Sequence, residues 1–75
     1  MRYRIINKKF YYTEQEAKID LKKVKDIATN PKVIQGVNNT SWILSLYECA
    51  TKKRAMQGLD FYKSKGLTVF LQIIN

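Results

Sequence analysis

Apolar and polar residues change period several times along the chain, and each change marks an element. From Arg2 to about Phe10 the β-branched and aromatic content (Tyr3, Ile5, Ile6, Phe10) predicts a strand, with a poor, exposed end at Lys8-Lys9. Ala17, Leu21, Val24 and Ala28 then recur at helical spacing. Thr13-x-x-Glu16 ahead of them is a capping-box pattern, and Asn30-Pro31 ends the helix because the residue before proline is pushed out of helical geometry. Lys32 to Val37 reads as a short second strand, and Asn38-Asn39 as a tight hairpin turn. Thr40 to Ala50 is a third strand. In strict alternation it sets Trp42, Leu44 and Leu46 on one face and Ile43, Ser45 and Tyr47 on the other. Thr51 caps a second helix carrying Ala55, Leu59 and Tyr62 on one side, closed by Lys63, Lys65 and a left-handed Gly66. Leu67 to Ile74 alternates again as a last strand.

The two halves run in parallel. Thr13-Glu14-Gln15-Glu16-Ala17 aligns with Thr51-Lys52-Lys53-Arg54-Ala55, and at the same offset Ile5 meets Ile43, Ile6 meets Leu44 and Leu21 meets Leu59. The chain therefore reads as one domain, residues 1–75, made of two pseudo-repeats at about 2–37 and 40–75. Two strand–helix–strand units give β-α-β-β-α-β. This is an α+β, ferredoxin-like arrangement with a four-stranded antiparallel sheet and two helices on one face. Trp42, Leu44, Leu46, Leu67, Val69 and Leu71 are the expected buried sheet face. The open face is expected to show Ile43, Ser45, Tyr47, Thr68, Phe70 and Gln72, with Ile5 and Asn7 nearby if the first strand keeps the same phase. Aromatic and polar groups mixed on a bare sheet make a binding platform or a dimer interface.

Composition removes whole classes of chemistry. The chain has 75 residues, no His and one Cys, Cys49. A disulfide framework, a Cys/His zinc site and any triad with histidine as base are excluded. Glu14 and Glu16 are helix-start residues, and Glu48 and Asp60 have no third partner for acid–base work. The three glycines are scattered, so there is no phosphate loop. No catalytic residue, metal or cofactor is expected, and the reading is non-enzymatic. No run of residues is long and apolar enough to span a bilayer, and Met1 to Lys9 lacks a signal-peptide core, which predicts a cytoplasmic protein.

Charge points to the partner. Lys and Arg number 14 against 6 Asp and Glu, a net charge of +8, so polyanions are favoured over neutral or cationic surfaces. Lys52, Lys53 and Arg54 occupy the predicted first turn of the second helix, where the helix dipole is already positive. The equivalent turn of the first helix holds Glu14, Gln15 and Glu16. Free N–H groups, dipole and three cations would act together on a phosphate or carboxylate. Lys18, Lys22 and Lys25 form a further basic stripe on the first helix. The stretch Leu44 to Cys49 lacks the glycines of an RNA-recognition signature, although Tyr47 and Phe70 are suited to stacking on bases.

Trp42-x-Leu44-x-Leu46, then Ala55, Gly66 and Leu67-x-Val69, resembles the sporulation-related repeat (SPOR) domain over about residues 42–71. The resemblance implies a β-α-β-β-α-β fold and binding of peptidoglycan glycan strands on the open sheet face. Ser45, Tyr47 and Cys49 depart from that family's pattern of Gln, Gly and Phe. The leading expectation is a small basic binding module docking on an anionic macromolecule. The partner would be nucleic acid or the acidic surface of a host protein, as for a phage or mobile-element inhibitor or regulator. Glycan binding and a structural homodimer through the sheet face are the alternatives.

Overall fold

The computed structural model describes residues 1–28, 30–36 and 40–74. Six elements follow in the order β1 (Arg2–Asn7), α1 (Glu14–Val24), β2 (Lys32–Gln35), β3 (Trp42–Cys49), α2 (Lys52–Ser64) and β4 (Val69–Ile74). The strands form one antiparallel sheet in the order β2-β3-β1-β4, and the protein has the ferredoxin-like α+β fold.

Local chemistry sets the helix ends. The hydroxyl of Thr13 accepts from the Glu16 amide at 3.2 Å, and that of Thr51 from the Arg54 amide at 3.3 Å. Each bond satisfies one of the amides that a helix start leaves without a partner. At the other end of α2, Gly66 takes φ +84. Its amide donates to the Lys63 carbonyl (3.0 Å) and the Leu67 amide to that of Tyr62 (3.1 Å), a Schellman closure that needs a left-handed residue at Gly66. The first helix is shorter than its periodicity predicts. It ends at Val24, whose carbonyl accepts from both the Ile27 and Ala28 amides, so Ala28 reaches the core from a turn. The expected Asn38-Asn39 turn lies outside the described residues.

The first strand also stops early, at Asn7, and Lys8, Lys9 and Phe10 are exposed. Tyr11 then returns to the sheet in a bridge to Trp42, and its ring is buried. Its hydroxyl donates to Asp20 of α1 at 2.7 Å. That bond, with Lys9 and Lys23 beside it, holds the Asp20 carboxyl below its usual range, while burial pushes the Tyr11 phenol well up.

The core lies between the sheet and the helices. Ile5, Leu44 and Leu46 are fully buried there, and Ala17 and Ala55 are small enough to let each helix settle on the sheet. Trp42, Leu67 and Leu71 pack against this cluster, and Val69 belongs to it.

Strand phase differs from simple alternation at one point. Ile5 pairs with Tyr47 but Ile6 pairs with Ser45, so Leu46 is the extra residue of a β-bulge. The bulge sends both Leu46 and Tyr47 to the helix side. Tyr47 is therefore not on the open face, contrary to the alternation of β3. Ile5 and Asn7 are also on the helix side, in register with Leu71 and Val69, so Arg4 and Ile6 hold the open-face positions of β1.

Candidate functional site

The first turn of α2 contains Lys52, Lys53 and Arg54, all exposed, and no acidic residue. Among the described residues no ion pair involves a side chain of α2. Outside α2, five cations are matched among the described residues. Lys18 meets Glu14 at 3.1 Å, Lys9 and Lys23 both reach Asp20, and Arg4 and Lys32 both reach Glu48.

The helix backbones stand apart, with no Cα of α1 within 8 Å of one in α2. A hollow of about 460 Å³ opens beside α2, lined by Ile27, Tyr47, Arg54, Gln57, Gly58 and Phe61. Arg54, Gly58 and Phe61 share it because i, i+4 and i+7 fall on one helix face. Tyr47 forms part of its wall only because of the bulge. Phe61 is about half exposed (46%), sits edge-on to Tyr62 at 5.3 Å, and has the Lys65 ammonium 5.4 Å from its ring centre. The site thus combines cations, an amide and two aromatic rings.

Gly58 lets α2 lie this low. A Cβ there would stand 2.8 Å from the Ile5 Cδ1 and 3.3 Å from the Tyr47 ring. Gly58→Val adds two further methyl groups to a Cβ that already crowds the fully buried Ile5. Thermal melts are expected to show a loss of about 1–3 kcal/mol, the usual cost of overpacking.

The basic stripe of α1 is a separate surface. Lys18, Lys22 and Lys25 border one hollow with Leu21, Asn30 and Pro31, and none of the α2 cations lines it. Lys18 is ion-paired, whereas no ion pair is formed by Lys22 or Lys25 among the described residues.

The open sheet face is less open than alternation predicts. Ile43 and Ser45 are on it but only 3% and 1% exposed. Ile34 is in register beside Ile43, and Lys32 and Ile6 flank Ser45. The Ser45 hydroxyl is buried with no hydrogen-bond partner among the described residues. A polar row crosses all four strands. Glu48 accepts from Lys32 at 2.9 Å and from Arg4 at 3.4 Å, and Arg4 also donates to Gln72 at 3.2 Å. Phe70 stays 48% exposed with the Lys8 ammonium 5.7 Å from its ring centre. Thr68 is exposed just before β4.

Lys32, then Arg4, hold the Glu48 carboxyl below its ordinary value of 4.5. Asp20 is likewise held below 3.8. In acid the unfolded chain then binds more protons than the folded one. The stability these carboxylates lend is complete above about pH 4.5 and is lost as pH falls through their folded values. Melting temperature is expected to drop below that pH, and Glu48→Gln to flatten the drop. An unchanged profile in the variant would contradict it.

Sequence reasoning found the α2 cations through the dipole mismatch but missed Gln57, Phe61 and Ile27. The Arg54, Gly58, Phe61 spacing was a readable signal for one wall of the hollow. Among the described residues no three His, Cys, Asp or Glu side chains gather as metal ligands, and no helix is long and apolar enough to cross a membrane. Compared with models of known protein families, curated proteins and solved structures, the chain matches none.

Proposed function

We propose that this protein is a non-enzymatic binding module that docks the start of α2 and the adjoining hollow on an anionic macromolecule, with single-stranded nucleic acid as the partner. One observation carries the reading. Lys52, Lys53 and Arg54 stand exposed at a helix start, without carboxylate partners among the described residues, and Arg54 also lines a hollow with Phe61 and Tyr47 in its wall. Three consecutive cations oppose the helix dipole, a local cost that an incoming phosphate reverses. The aromatic rings favour nucleic acid over an acidic protein surface, because every base offers a face to stack on, worth about 1–3 kcal/mol each. A cytoplasmic inhibitor or regulator of phage or mobile-element type would use such a module by covering or sequestering its target.

The sheet face supports glycan binding less well. Its Arg4, Lys32, Glu48 and Gln72 are tied to one another, and Ile43 and Ser45 are covered.

The test is binding of a fluorescent single-stranded oligonucleotide across a salt series, with polyglutamate as a second ligand. The reading predicts that log affinity for the oligonucleotide falls linearly with log salt. Tighter binding of polyglutamate would move the partner to an acidic protein. No binding of either at low salt would end the reading.

A further inference from the structure

The sheet treats its two edges differently. On one side β2 has four residues, follows Pro31 and begins with Lys32. Shortness, proline and a lysine are the devices by which proteins discourage edge pairing. On the other side β4 has six residues, Val-Phe-Leu-Gln-Ile-Ile, with no charge, proline or glycine. It is outermost in the sheet, and it leaves Phe70 48% and Ile73 58% exposed on its two faces. A chain of net charge +8 has kept all its charge off this one strand.

The hydrogen-bond phase of β4 completes the picture. The Lys8 amide donates to the Thr68 carbonyl. Bonded pairs alternate along an antiparallel ladder, so Phe70, Gln72 and Ile74 bond inward to β1. The N–H and C=O groups of Val69, Leu71 and Ile73 therefore point outward.

We propose that β4 is a self-association edge, on which two copies pair antiparallel about a two-fold axis at Leu71. The occupant is a second copy because this strand is self-complementary. Centred on Leu71, the pairing sets Val69 opposite Ile73 of the other copy and Phe70 opposite Gln72, and it joins outward groups only to outward groups. No charged side chain enters the pairing, whereas β2 is only four residues long and carries Lys32. A two-fold interface of this kind closes at the dimer. This edge is distinct from the open sheet face and from the α2 site, and it does not rest on the proposed function.

Amide hydrogen exchange on the wild-type protein reads the edge directly. At near-millimolar concentration the Val69, Leu71 and Ile73 amides are expected to be protected although the β1 ladder leaves them facing outward, and to lose protection on dilution. Light scattering is expected to give about twice the 8.8 kDa chain mass. Ile73→Lys, at a position clear of the core, is expected to raise the dimer dissociation constant about tenfold or more, which is about 1.4 kcal/mol or more. A wild-type protein that stays monomeric with those amides exchanging freely would overturn the proposal. So would a dimer that persists unchanged in folded Ile73→Lys, or protection of the three amides only when a different protein is present.

Discussion

Lys52→Ser, Lys53→Glu and Arg54→Glu together are expected to abolish most polyanion binding while leaving the fold intact. Each phosphate contact contributes about 0.7–0.9 to the slope of log affinity against log salt, so losing three contacts removes about 2–3 units. Near physiological salt that corresponds to about a hundredfold weaker binding. Stability is expected to hold or rise, because acids in a first turn gain some 0.3–1 kcal/mol each from the helix dipole. The same turn of α1 already carries Glu14 and Glu16. Fluorescence anisotropy across salt, paired with a thermal melt, reads both effects. Unchanged affinity and slope in a folded variant would remove α2 from the site.

The largest stability effect is expected at the bulge. Leu46→Ala empties a fully buried position and is expected to cost about 2–5 kcal/mol. At roughly 0.05–0.15 kcal/mol per residue, a chain of 75 residues has only about 4–11 kcal/mol in total. At the low end of that range the loss is enough to unfold the variant at room temperature. Phe70→Ala, half exposed on the open face, is expected to cost far less, with Tyr47→Ala between the two. Urea denaturation orders the three. Equal losses for Phe70 and Leu46 would mean that the strand phase described above is wrong.

Element order was legible because its signals are local. Thr13, Thr51 and Gly66 each act within one turn of helix, so their chemistry can be read without a partner strand. Alternation placed Trp42 and Leu44 correctly for the same reason. It failed at Tyr47, because a bulge depends on the register between β1 and β3, set by residues far apart in the chain. The exposed end at Lys8-Lys9 was legible, but Tyr11 was missed because its return to Trp42 depends on a partner strand far along the chain. The candidate site divides along the same line. The three cations were readable as a violation of the helix dipole. The hollow was not, since it needs the bulge at Leu46, the absence of a side chain at Gly58 and the gap between the helices together.

Whether α2 and the hollow beside it form the proposed working surface is read from amide chemical shifts followed during titration with a single-stranded oligonucleotide. The predicted result is a set of shifts concentrated from Thr51 to Phe61 and at Tyr47, saturating together, with the open-face positions Arg4, Ile6, Ile34 and Phe70 unmoved. Shifts centred on those open-face residues, or no shifts at all at low salt, would contradict it.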